Sequence, residues 1–338
     1  MGRMIGVLVR GVAIALLALL VLVVLIGAAF RWQAERREIR EPAKVAPLAG
    51  RYVRAGDVQA FIQEDGPEGE PVVVFVHGTG AWSGAWRRTL TEAGKAGFHV
   101  VAIDLPPFGF STRPPSQQYG KVEQGRRIAG LLETLGISRA ILVGHSFGAG
   151  PTVEAALLAP DRVHAMVLVD GALGVRAAGE AFKPAPAVLR AALDARPIRD
   201  AVVATFLTNP LFTRKLLQLF IDDPVRATEN WVQIYQRPLV VQGSTAAIGA
   251  WLPALLAPTG PAPSEDPAIY RSLAMPVSLI WGERDSITPL AQGKAIAALL
   301  PKADLIVMEG VGHIPQIEDG EKFDRLLIAV LKRLIAAQ

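Results

Sequence analysis

The chain has 338 residues, ample for one large α/β domain with an insertion and too few to require two. Its formal charge of +4 comes wholly from residues 1–40, which hold six Arg against two Glu; residues 41–338 carry 29 basic and 29 acidic side chains, so no basic face is offered to nucleic acid. With no cysteine there is no disulfide, no thiolate nucleophile and no cysteine metal site. In chain order, residues 11–30 are twenty residues without a charge or strong helix breaker, about 30 Å as a helix, which is the thickness of a bilayer core. Length and the Arg31-Trp32 to Arg40 flank favour an uncleaved single-pass anchor over a secretory signal cut after Gly27-Ala28-Ala29. Two Arg precede the run and four come after it, which would hold the domain in the cytoplasm, whereas a short tail before a long apolar run exports the domain behind it; the second is preferred. Residues 41–50, with Pro42 and Pro47, read as a linker from membrane to domain.

Residues 51–54 and 58–62 flank Ala55-Gly56-Asp57 as a hairpin. Val72-Val73-Val74-Phe75-Val76 is then a continuous apolar run, as expected of a strand buried on both faces. Further strands are expected at 100–103, 141–143, 165–169, 276–281 and 304–308, with helices at 83–95, 122–135, after residue 150, at 290–300 and at 319–336. Strict alternation predicts a mainly parallel, doubly wound sheet with helices on both faces, built from residues 51–170 and 271–338. Between 171 and 270 the alternation gives way to helical spacing, which marks a helical insertion.

In such a sheet the ligand crevice lies beyond the carboxyl ends of the strands. The polar residues at those ends are His77-Gly78-Thr79, Asp104, Ser146, Asp170, Asp285 and His313. Gly144-His145-Ser146-Phe147-Gly148 comes after a β-branched run and opens a helix, the form of a nucleophile elbow. A serine hydroxyl is a weak nucleophile and needs a base, itself oriented by a third group. His313 is the candidate base. Asp285 is the preferred carboxylate, placed on a crevice-facing loop by Ile287-Thr288-Pro289, with Asp170 at the preceding strand end as its rival. His145, the residue before the serine in the elbow, is expected to point away.

His77-Gly78, Asp104 to Ser111, Gly144 to Gly148, Gly282-Glu283-Arg284-Asp285 and Gly310-Val311-Gly312-His313, all in order, make the chain from Arg51 onward resemble an α/β-hydrolase. The resemblance implies Ser146 as nucleophile, His313 as base and then acid, Asp285 as orienting carboxylate, and the N–H groups of Phe147 and Thr79 as oxyanion donors. His77 would brace the oxyanion loop with Gly78, Trp82 would belong to the core or the pocket wall, and residues 171–270 would roof the pocket. Serine at the elbow argues against the aspartate-dependent epoxide hydrolases and dehalogenases of similar architecture. Five scattered histidines lack ligand spacing and no dinucleotide or phosphate-loop pattern is present, so neither metal nor cofactor is expected. The expected activity is hydrolysis of an ester or related acyl bond of a small apolar substrate through an acyl-enzyme. Carbon–carbon bond hydrolysis, lactone opening and cofactor-free perhydrolysis are alternatives on the same triad, and a non-catalytic ligand receptor is the alternative outside enzymes.

Overall fold

The computed structural model describes residues 2–69, 71–177, 179–300 and 302–336. Met1, Glu70, Ala178, Pro301, Ala337 and Gln338, which fall within the segments assigned from the sequence, lie outside the described residues. Helix α1 runs over Gly2–Arg37. Its stretch Leu8–Arg37 is long and apolar enough to cross a membrane or to act as a signal sequence, with a mean hydropathy of 3.2 in its most apolar window. The basic flank continues this helix as far as Arg37, and the end of the helix is docked on the domain. Ala34 and Glu38 are buried, the latter accepting bonds from the N–H and Oγ1 of Thr245. The segment expected as a plain linker is also structured. Residues Pro42–Val45 form α2, and Arg40 makes a parallel bridge to Val241, because its main-chain groups find partners on the helical insertion.

The sheet has eight strands: β1 (Gly50–Ala55), β2 (Val58–Asp65), β3 (Val72–Val76), β4 (His99–Ile103), β5 (Ala140–His145), β6 (Val163–Val169), β7 (Val277–Gly282) and β8 (Asp304–Met308). Their spatial order is β1-β2-β4-β3-β5-β6-β7-β8. The β1–β2 hairpin is antiparallel and β2 runs antiparallel to β4; every pairing from β4 to β8 is parallel. Period-two alternation assigns each strand residue to a face. Val74, Val76, Leu142, Met166 and Leu279 meet α4 (Lys121–Thr134) and α5 (Ala149–Leu158), joined at the far edge by Ile296. Val73, Phe75, Ile141, Val143, Val167 and Ile280 meet the opposite layer, where α3 (Arg87–Lys95) supplies Leu90 and Ala93.

After β6 the chain enters α6 (Ala187–Asp194), α7 (Arg196–Val202), α8 (Thr213–Phe220), α9 (Glu229–Gln236), α10 (Ser244–Leu256) and α11 (Pro267–Ser272). Trp251, Ile248, Val203 and Leu193 of this insertion pack on Phe108, Tyr119 and Phe147 of the sheet domain. The chain then returns through β7, α12 (Leu290–Leu299, which carries Ile296), β8, α13 (Pro315–Glu318) and α14 (Gly320–Ala336). Phe323, Leu327, Val330 and Leu331 of α14 complete the layer begun by α3. The insertion thus sits over the carboxyl ends of β3, β5 and β8, where the polar residues gather.

Candidate active site

The turn after β5 is forced by close approach on both sides. A Cβ at Gly144 would lie 2.4 Å from Thr152 Oγ1, and one at Gly148 would lie 2.4 Å from the carbonyl oxygen of His77. Between them Ser146 takes φ +51, a left-handed conformation that a serine adopts only where the surroundings over-determine it. Its hydroxyl faces the cavity.

His313 reaches that hydroxyl from the loop after β8. Its Nε2 lies 2.8 Å from Ser146 Oγ and its Nδ1 lies 2.8 Å from Asp285 Oδ2. A carboxylate only accepts, so Nδ1 carries the proton and Nε2 is free to accept from the serine. Asp285 also accepts from the N–H of Ile287 at 2.8 Å, the N–H of Thr288 at 2.9 Å and Thr288 Oγ1 at 2.6 Å. Burial alone would raise its carboxyl, but the His313 bond and charge and the Thr288 donors outweigh it, and Asp285 is held below the ordinary carboxylate range. Both residues are almost wholly buried, at 1% and 4% exposure, so this bond is little screened. The three residues expected from sequence are therefore brought together, and the contest between Asp285 and Asp170 for Nδ1 goes to Asp285.

The remaining expected residues divide. Thr79 lines the cavity. Phe147 is buried beside the serine with its ring edge-on to Trp251 at 5.6 Å. His77 stands behind the wall: Leu105 N–H donates to its Nε2 at 2.9 Å, and its Nδ1–H donates to the carbonyl of Gly78 at 2.9 Å. Gly78 lies so close to the elbow that a Cβ there would approach Ser146 Cβ to 2.8 Å. Trp82 is not on the cavity wall. Its Nε1–H donates to Ile234 O at 2.7 Å and its ring packs edge-on to Phe110 at 5.1 Å, so the indole is spent on joining the first crevice loop to the insertion. Trp251 occupies the wall instead.

Two residues that sequence reasoning passed over support the triad. Thr288 was visible only as part of a helix-initiating turn, yet the spacing Asp-x-x-Thr is one in which a short carboxylate caps the N–H three residues on. Glu318 is buried and accepts the N–H groups of Gly312 at 3.0 Å, Ile314 at 3.2 Å and Asp222 at 2.8 Å, clamping the loop that presents His313 to the insertion. Burial raises its carboxyl above the ordinary range.

The cavity has a volume of about 150 Å3 and a mainly apolar wall that includes Phe108, Leu217, Phe220 and Trp251. Its one fixed cation among the described residues is Arg113, whose terminal nitrogens donate to the carbonyls of Ser111 and Gly109 and whose Nε is buried without a partner. Ligand atoms of Asp170, Asp285 and His313 lie within 4.8 Å of one another, a spacing that would suit a cation. The N–H and O–H donors aimed at Asp285 oppose one there, and shared protons satisfy the same geometry.

A family model described as alpha/beta hydrolase fold matches residues 71–320. Among curated proteins, the chain is 28% identical over 288 residues to a 2-hydroxymuconate semialdehyde hydrolase of Pseudomonas sp. (strain CF600), covering 83% of this chain and 93% of that protein. It is 30% identical over 268 residues to a 2-hydroxy-6-oxononadienedioate/2-hydroxy-6-oxononatrienedioate hydrolase of Burkholderia vietnamiensis (strain G4 / LMG 22486), covering 78% of this chain and 88% of that protein. Among solved structures, that of a membrane phospholipase A superposes with a TM-score of 0.63 at 26% identity and covers 99% of both chains.

Proposed function

Because the chain belongs to the α/β-hydrolase fold family, we propose that it is a serine hydrolase that forms an acyl-enzyme on Ser146. The observation that carries this reading is the position of the His313 ring, 2.8 Å from Ser146 Oγ on one nitrogen and 2.8 Å from Asp285 on the other. As Oγ bonds to a substrate carbonyl carbon, His313 Nε2 takes the hydroxyl proton, and the carbonyl electron pair moves onto oxygen beside the N–H groups of Phe147 and Thr79. Each such donor is worth about 3 kcal/mol to the developing oxyanion. Collapse breaks the bond to the leaving group, which receives the proton from Nε2. Water then attacks the acyl carbon, gives its proton to His313, and Ser146 leaves with that proton.

Two leaving groups have support. Cleavage of a carbon–carbon bond beside a ketone is supported by the curated relatives, which are hydrolases of meta-cleavage products, and on that similarity it stands ahead of the ester reading. Ester cleavage in a membrane lipid is favoured by a different observation, the seat of α1. A Cβ at Gly27, near the end of the apolar run, would touch Ala201 Cβ at 3.4 Å, and Arg31 pairs with Asp200 at 3.8 Å. The α7 end of the insertion is therefore level with the edge of the apolar stretch. The next turn, Val203–Leu207, also packs on α1 and carries Leu207, which lines the cavity. With α1 as the membrane anchor, the apolar cavity lies next to a supply of acyl chains.

The test uses the detergent-solubilised full chain. A fluorophosphonate should label Ser146 in the wild type and not in Ser146→Ala; a folded sample that takes no label would point to a receptor. A 2-hydroxy-6-oxo-dienoate followed by loss of its chromophore, set against p-nitrophenyl acyl esters and phospholipid vesicles, then assigns the leaving group. Turnover of esters and vesicles with none of the dienoate would overturn the carbon–carbon reading.

A further inference from the structure

The triad leaves one buried carboxyl beside it without a task. Asp170 ends the strand next to the one that leads to Asp285, is fully buried, and takes φ +44, a second non-glycine residue held left-handed near Ser146. Its Oδ1 accepts the N–H of Gly282 at 2.8 Å, while Oδ2 is buried and has no partner. Oxygen atoms of Asp170 and Asp285 and a ring nitrogen of His313 lie within 4.8 Å of one another. The strand end is tied to the site twice more: Thr288 Oγ1 lies 3.1 Å from the carbonyl of Asp170, and Ala172 N–H donates to the carbonyl of Ser146 at 3.0 Å.

We propose that Asp170 is held protonated and donates that proton to Asp285, as the fourth member of the chain Ser146–His313–Asp285–Asp170 and the residue that tunes the basicity of Asp285. The proposal rests on the reading of Ser146, His313 and Asp285 as the reacting set. Two buried carboxyls with oxygen atoms within 4.8 Å of one another cannot both ionise at little cost, so one keeps a proton. The donor count decides which. Asp285 faces four donors, from Ile287, Thr288 twice and His313, and Asp170 faces one. The proton belongs on Asp170, on the oxygen left without a partner. The titratable groups facing Asp170 are Asp285 on the loop after β7, Glu318 on α13 and His313 between them. Burial, and after it the nearby negative Asp285, pushes Asp170 well above the ordinary carboxylate range. A neutral donor at this place stabilises the Asp285 charge without adding a second negative charge, which would hold the His313 ring protonated and useless as a base.

The test is the rate of Ser146 phosphonylation against pH, in the full chain, for wild type, Asp170→Asn and Asp170→Ala, so no substrate need be known. An asparagine at 170 can accept from Gly282 and donate to Asp285 as a protonated acid does. It should keep the rate within about threefold and leave the midpoint of the acid limb in place. Alanine removes the donor, leaves Asp285 more basic and its hold on the imidazolium stronger, and should move that midpoint upward by up to about one pH unit with a rate loss of about tenfold at neutral pH. The infrared spectrum of the wild type at neutral pH should contain a protonated-carboxyl band that Asp170→Asn removes, which keeps the test decisive if the alanine variant does not fold. A downward shift in Asp170→Asn, or no band lost, would show that Asp170 is ionised and overturn the proposal. Profiles for both variants that superpose on the wild type would make it a bystander. Failure of the wild type to label would instead remove the reading on which the proposal rests.

Discussion

The Nε2–H of His145 donates to the main-chain carbonyl of His313 across 2.8 Å, so the residue before the nucleophile holds the backbone of the residue that activates it. His145 does point away from the serine hydroxyl, as the elbow requires, and in doing so it meets the base from behind, ring centroids 5.3 Å apart. His145→Leu keeps the volume and leaves the His313 carbonyl buried and unpaired, at a cost of about 1–3 kcal/mol. We expect Ser146 labelling to slow by about tenfold, and labelling at the wild-type rate would dismiss this bond as a positioning contact.

Two buried imidazoles, His77 and His145, make the fold sensitive to acid. Burial lowers His77 to about 4 and His145 to about 3. In the unfolded chain both take up protons near pH 6.5. Between these values the unfolded state binds more protons than the folded one, so stability is full above about pH 6.5 and drains as pH falls, by about 1.4 kcal/mol per pH unit for each histidine. Urea midpoints from pH 7 to pH 4 should show this, and His145→Leu should reduce the slope by one proton. An unchanged slope would mean that His145 is charged in the folded state.

The end of α1 is fastened by Glu38, whose carboxylate takes the N–H and Oγ1 of Thr245 beside a bond from Arg37. Glu38→Ala leaves the start of α10 without these acceptors. The unfolding temperature should fall by a few degrees, on the scale of about 1–3 kcal/mol, and limited proteolysis should speed up near residues 38–45. Labelling of Ser146 by a soluble probe should be unaffected, because Glu38 does not touch the cavity. Loss of labelling would instead couple the helix seat to the chemistry.

Gly148 is the point of the elbow packed most closely against main chain. Gly148→Ala would bring a methyl to 2.4 Å from the His77 carbonyl and 2.8 Å from that of Val76, main-chain atoms that cannot swing aside. Destabilisation by about 2–4 kcal/mol together with loss of labelling is expected. Gly260→Ala serves as a control for glycine replacement in general, since nothing stands within 4 Å of a Cβ there and its φ is not left-handed.

Strand and helix alternation, the apolar run near the start, the elbow, and the positions of Ser146 and His313 were legible in the sequence. Each is a local pattern: period-two burial, a glycine pair around one serine, a polar residue straight after an apolar strand. Asp285 was preferred over Asp170 for its loop, but the choice could be decided only by structure, because both come after strands that lie side by side, and which oxygen meets Nδ1 depends on ångström-scale placement across two loops. The parts played by Thr288, Glu318 and His145, whose partners lie on other segments of the chain, were not legible. That Trp251 faces the cavity and Trp82 packs in the core was settled for the same reason, since both are large apolar residues and only packing decides which one faces the opening. The basic flank after the apolar run reads as membrane-facing by composition, yet tertiary structure turns Ala34, and Glu38 just past the end of α1, onto the insertion, because the helix continues far enough to reach it.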